Sequence, residues 1–130
     1  MKHLALDTLE DVQRLGSVSA VNILIVGPMP GSDRDEVLRA IRRQRGLDVF
    51  HAQRPAEFLL PNRGDVILVL DDASQLSRAH QMRLLEWVSR DHVQIVSFAS
   101  RSLYDMVSEE TFVDRLYYRL NTVCVIVGNE

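Results

Sequence analysis

Four continuous apolar runs constrain this chain more than any other feature: Asn22 to Val26, Asp65 to Leu70, Val93 to Phe98 and Thr122 to Val127. An antiparallel strand with one wet face alternates apolar and polar residues. A run without alternation reads as a strand covered on both sides, which is the habit of parallel sheets. Leu47 to His51 is a fifth, weaker candidate. Helical periodicity fills the intervals. Val37, Leu38 and Ile41 share one face of a helix expected from Asp33 to Arg45. Leu76, Met82, Leu84, Leu85 and Val88 mark a second helix that Ser74 or Ser77 could cap. Leu103, Met106 and Val107 suggest a short third, and Phe112, Leu116 and Leu120 a fourth. The stretch from Leu4 to Leu15 also has helical spacing. Alternating strands and helices predict an α/β fold, a parallel sheet with helices on both faces.

With 130 residues, no repeat and no linker-like segment, one domain spanning 1–130 is expected. The net charge of -3 argues against wrapping nucleic acid through phosphate contacts, so no direct DNA binding is expected. Arg39, Arg42, Arg43 and Arg45 form a local basic run, read first as a solvated helix face and second as a contact for an acidic protein. Cys124, the only cysteine, excludes an intrachain disulfide and reads as a buried core thiol within Val123 to Val127. Trp87 also reads as core. His3, His51, His80 and His92 lack metal-ligand spacing, and no nucleophilic triad can be assembled. No metal and no cofactor is expected. No run reaches membrane-spanning length and the first residues do not read as a secretory signal, so a cytoplasmic location and no membrane partner are the expectations.

Two motifs carry chemical meaning. Ile23 to Val26 leads into Gly27-Pro28-Met29-Pro30-Gly31-Ser32-Asp33-Arg34, which has the strand–loop–helix placement of a P-loop. A working P-loop needs G-x-x-x-x-G-K-[ST], because its backbone N–H groups cradle the phosphates and its lysine neutralises them. Gly27 keeps the first glycine position, and Gly31 lies in the loop. Ser32 takes the second glycine position and Asp33 the lysine position. A carboxylate there repels phosphate, and two prolines remove N–H donors. The plainer reading is a strand-to-helix turn with Asp33 capping the helix. The second motif is Val66 to Leu70 followed by Asp71 and Asp72, an apolar strand ending in two acids as in Walker B. There the first acid helps hold magnesium and the second polarises the attacking water. Asp72 is one methylene shorter than the usual glutamate.

The segment Phe112-Val113-Asp114-Arg115-Leu116-Tyr117-Tyr118-Arg119-Leu120-Asn121, with Asp71-Asp72 and the helix after it, resembles the AAA+ domain of sigma-54-dependent transcription activators. The likeness spans roughly Asn22 to Val127 and is strongest over 65–127. It implies a P-loop NTPase-like AAA+ core, a five-stranded parallel sheet in the order 5-1-4-3-2, within a bacterial transcription-regulating family. It also implies roles: Ser100 at the sensor position, and Arg119 at one of the two arginine-finger positions, the other being Val113. The interval Gln53 to Gly64 lacks the family's sigma-contacting loop and its tip. The chain stops at Gly128-Asn129-Glu130, so the helical lid after the fifth strand is expected to be absent. Together these features predict a pseudo-ATPase, with Gly27, Gly31, Ser32, Asp33, Asp71, Asp72 and Ser100 as a degenerate nucleotide site. Arg115, Tyr117 and Arg119 are then a candidate protein interface, and the expected partner is an AAA+ activator or a second copy. Tyr117 and Tyr118 could instead simply pack the helix, and Arg119 could pair with Asp114 or Glu110.

The first half also resembles a response-regulator receiver domain, in which Asp71 would accept phosphate and Ser97 or Ser100 would be the switch hydroxyl. That reading, or a nucleotide-sensing signalling module, is the alternative. A receiver needs acids after its first strand, where this chain has Gly27-Pro28, and a lysine near its fifth, whereas Lys2 is the only lysine present. Its strand order would be 2-1-3-4-5. The position of Leu47 to His51 in the sheet separates the two. The chain is expected to finish on the central part of the sheet.

Overall fold

The computed structural model describes residues 21–54, 57–90 and 93–127. Five parallel strands form one sheet: β1 Ile23–Val26, β2 Asp48–His51, β3 Val66–Leu70, β4 Ile95–Ala99 and β5 Val123–Ile126. Their spatial order is β2-β3-β4-β1-β5. Leu47 to His51 therefore lies beside β3, with Val49 opposite Ile67, and not beside β1. This is the 5-1-4-3-2 order, and it excludes the receiver topology.

Among the described residues four α-helices lie on the sheet: α1 Gly31–Arg45, α2 Arg78–Arg90, α3 Leu103–Ser108 and α4 Asp114–Leu120. Because side chains alternate along a strand, the central strands feed two cores. Ile23, Ile25, Ile67, Val69, Val96 and Phe98 meet Val37, Leu38 and Ile41 of α1. Leu24, Leu68, Leu70 and Ile95 face the other way, toward Leu84 and Trp87 of α2, Leu103 and Met106 of α3, and Leu116 and Leu120 of α4. Each large side chain so buried contributes roughly 1.5–3 kcal/mol.

Local signals explain the helix ends. Gly46 stops α1 with φ of 68°, and its N–H closes on the Arg42 carbonyl. Ser77 Oγ accepts the His80 N–H at the start of α2, while Ser74 sits in a preceding 3-10 turn, Ala73–Gln75. Gln81 is buried and ties three segments together. It donates to the Leu76 and Thr111 carbonyls and accepts the Val113 N–H. Trp87 is core, as expected, with its indole N–H donating to the Pro61 carbonyl.

The fifth strand corrects two expectations. Among the described residues it pairs only with β1, at the edge that the 5-1-4-3-2 order assigns it, so the last strand does not finish on the central part of the sheet. Its burial alternates, and Cys124 is exposed, not a core thiol. An edge strand has cover on fewer sides than a central one, so an apolar run here need not be buried. Partial burial still pushes the Cys124 thiol pKa up. The helical pattern from Leu4 to Leu15 lies outside the described residues. Among the described residues no helix is long and apolar enough to cross a membrane.

Candidate functional site

Gly27 leaves β1 at φ of 120°, a conformation that side chains rarely tolerate. A Cβ there would sit 1.7 Å from the Val127 carbonyl oxygen. Its N–H donates to the Ala99 carbonyl at 2.9 Å. The loop's first glycine is thus stitched into the ends of β4 and β5. Pro30 then precedes α1, which begins at Gly31. Asp33 corrects an expectation: it does not cap the helix but lies in its first turn, where a carboxylate suits the helix dipole. The Asp33 and Arg34 N–H groups both point to the Pro30 carbonyl at 3.0 Å. Pro28 and Pro30 have none to offer.

Arg34, one residue beyond Asp33, reaches across to the acid end of the site. Its guanidinium donates to the Asp71 backbone carbonyl at 2.8 Å and lies 4.6 Å from the centre of the Phe98 ring. A cationic side chain of α1 is thereby held against the end of β3. Arg34 falls within the helix expected from Asp33 to Arg45, and helical periodicity alone does not assign it this role. Its place in the Ser/Thr slot of G-x-x-x-x-G-K-[ST] was the available signal.

The two acids after β3 are present but turned apart. The Asp71 carboxylate lies 3.2 Å from His51 Nδ1 through each oxygen and 3.5 Å from Arg54. Asp72 Oδ1 accepts the Ser74 and Ser100 N–H groups at 3.1 Å each, and the Ser74 hydroxyl at 2.5 Å. Gln53 clamps the same turn, donating to the Asp72 carbonyl and accepting its N–H. Burial pushes the Asp72 carboxyl up, but the hydrogen bonds from Ser74 and Ser100 outweigh it, and its pKa falls below the ordinary value. Ser100 lies at the end of β4, with its hydroxyl 3.1 Å from that of Ser74. Asp71, Asp72, Ser100 and the Gly27–Arg34 loop therefore converge at the carboxyl ends of the central strands, where open α/β sheets place their ligands.

The candidate interface lies elsewhere, on α4. Arg119 does not pair with Asp114 or Glu110: its guanidinium donates to the Val88 carbonyl in the last turn of α2, at 2.6 Å. The carbonyls of a helix end lack intrahelical partners, and a cation there also complements the dipole. Arg115, Tyr118 and Arg119, spaced to share one helix face, line a groove of about 470 Å³ together with Met82, Leu85 and Glu86 of α2. Tyr117 is not part of that groove. It is half-buried, its ring packs near Tyr104 and Tyr118, and its hydroxyl accepts from Asn121. Tyr118 and Met82, which are not among the interface residues expected from sequence, are 68% and 45% exposed.

Sheet order, loop placement and converging acids define the class as a P-loop NTPase-like AAA+ core. The chain belongs to the sigma-54 interaction domain family, which it matches over residues 7–129. It is similar in fold to crystal structures of NtrX from Brucella abortus. The complex with ADP superposes with a TM-score of 0.73 at 22% identity, covering 98% of this chain and 37% of that one. For the complex with ATP the TM-score is 0.70 at 23% identity, covering 98% and 38%. The P-loop NTPase domain of a sigma-54 transport activator from E. coli matches with a TM-score of 0.60 at 18% identity, covering 91% and 98%. The chain thus spans little more than a third of the NtrX chains. No curated protein matches it.

Proposed function

We propose that this chain is a catalytically inactive sigma-54 interaction domain, a cytoplasmic protein-binding regulator of transcription or of an AAA+ assembly. The observation that carries the reading is the pairing of Asp33 in the first turn of α1 with Arg34 held on the Asp71 carbonyl. Where magnesium and phosphate would need a lysine and a small hydroxyl, the site has an anion and a bulky cation of its own. Asp72 is engaged with Ser74 and Ser100, and Asp71 with His51 and Arg54. These residues do not fit a magnesium nucleotide.

Exchanging a cation for an anion beside a polyphosphate costs on the order of a thousandfold or more in affinity. Titration calorimetry with ATP and magnesium is expected to show no micromolar binding, and micromolar binding overturns the inactive reading. The partner is an AAA+ activator or a second copy, met through Arg115 and Arg119 with Tyr117 behind them. The α2–α4 groove, with exposed Met82 and Tyr118 between two arginines, supports this. Sedimentation of the purified chain, alone and with an intact sigma-54 activator, tests it. Arg115→Ala, a residue outside the Val88 bond, is expected to weaken association about tenfold or more without changing the melting temperature. Association indifferent to this change removes α4 from the interface.

A further inference from the structure

The sheet edge formed by β2 carries a second surface, independent of Arg115 and Arg119. Among the described residues β2 pairs only with β3. The Ala52 N–H donates to the Val69 carbonyl at 3.1 Å, so by alternation Asp48 and Phe50 also turn their backbone groups toward β3. Val49 and His51 therefore turn their N–H and carbonyl groups outward, to the open edge. An open edge is a template for another strand unless charge or cover blocks it.

The charge beside this edge has one dominant sign. Two grooves run along it and share Arg39 and Arg42 of α1. One, of about 480 Å³, adds Arg43 and Arg63 with Asp48 and Asp65. The other, of about 200 Å³, adds Val49, His51 and Arg54, with Asp35 the opposing charge. Arg42 pairs with Asp48 at 3.1 Å, Arg63 with Asp65 at 2.7 Å and Arg54 with Asp71 at 3.5 Å. The six side chains of these pairs are exposed except that of Asp71, so the bonds are weak and can exchange partners. Arg39 and Arg43 have no ion pair among the described residues. The chain as a whole is negative, so this cationic margin is a local concentration.

We propose that the β2 edge accepts an extended acidic segment of a partner protein as a sixth strand. Val49 and His51 would supply the backbone bonds, and Arg39, Arg42, Arg43 and Arg54 would meet its carboxylates. Backbone pairing gives such a contact its affinity, and side-chain charge selects the segment. The cations exclude a basic strand by the same rule that admits an acidic one.

The test uses the whole chain and a fluorescent peptide of about ten residues, alternating Glu and Val. Its controls are the Lys-for-Glu peptide, Glu peptides N-methylated at every second backbone nitrogen in either register, and oligothymidylate as a polyanion without strand character. The Glu peptide is expected to bind and to protect the Val49 and His51 amides from hydrogen exchange. One N-methylated register and the Lys peptide are expected to fail. Arg39→Glu with Arg43→Glu, both exposed, is expected to weaken binding about tenfold. No binding by the Glu peptide would mean the arginines only guard the edge. Indifference to N-methylation in both registers, or equal affinity for oligothymidylate, would likewise overturn the proposal. If the double variant fails to melt normally, the methylated peptides on the unaltered chain decide.

Discussion

The two halves of the candidate site stand in different relations to the P-loop and Walker B motifs. In the loop from Gly27 to Arg34, residue types have changed: an acid stands in the lysine slot, an arginine in the hydroxyl slot, and prolines flank the turn. At the end of β3 the two acids of the motif are present, and each is engaged by neighbouring side chains or backbone. Asp71 faces His51 and Arg54, and Asp72 caps the turn through Ser74 and Ser100. Substitution is visible in a string of letters. Engagement is visible only in hydrogen bonds. The one motif position common to a working loop and this one, Gly27, is required here by its φ of 120° and the close approach of the Val127 carbonyl.

Gly27→Ala is the strongest way to break that contrast. At φ of 120°, with a carbonyl oxygen 1.7 Å from the new Cβ, the strands must move. The expected loss is more than about 3 kcal/mol, from backbone strain and steric overlap together. That is a large part of a typical domain's stability. Urea denaturation reads it directly. A neutral result would mean that the glycine's close approach to β5 is not what holds it here.

Asp72 gives the next effect. Asp72→Ala is expected to cost about 2 kcal/mol near neutral pH, since two N–H groups and a hydroxyl lose their acceptor. Asp71→Ala, whose carboxylate meets the His51 ring nitrogen and the exposed Arg54, is expected to cost at most about 1 kcal/mol. The Asp72 pKa is lowered in the folded chain, so its contribution is complete above the ordinary aspartate value and disappears as pH falls through the lower folded value. The gap between the unaltered chain and Asp72→Ala should therefore close only below about pH 4. A gap that does not change down to about pH 2 would show that the carboxylate charge is not what the turn recognises.

Much of the fold could be read from the residues because hydrophobic periodicity reports burial. β1, β3 and β4 are central strands; the runs of β1 and β3 are wholly apolar, and that of β4 is interrupted only by Ser97. β5 has an equally apolar run but lies at an edge, and nothing in Val123 to Ile126 records which strands are beside it. The same limit explains Cys124. In the site, Asp33 was legible because a charge in the lysine slot is a local fact. The engagement of Asp71 depends on His51, contributed by a different strand, and Arg34 on Phe98, which is far away in the chain. On α4, choosing Tyr117 over Tyr118 missed the shared face of residues 115, 118 and 119, which helical spacing already contained.

Arg34→Thr has a small expected effect and sharpens the comparison most. It restores the hydroxyl that a working loop carries, and it removes the guanidinium from the Asp71 carbonyl and the Phe98 ring. The stability cost should be about 1 kcal/mol, because one charge-assisted bond and one cation–π contact are lost while a buried Nε without a hydrogen-bond partner among the described residues is also removed. ATP binding should stay undetectable by calorimetry, because the Asp33 carboxylate still opposes the phosphates in the first turn of α1. Adding Asp33→Lys to Arg34→Thr should then raise affinity for magnesium ATP above that of either single variant, since cation and hydroxyl act on the same polyphosphate. If Arg34→Thr alone binds ATP at micromolar concentration, the arginine and not the acid was the barrier. If the double variant still binds nothing, the prolines and the engaged Asp71 and Asp72 are sufficient to close the site without help from the loop's charges.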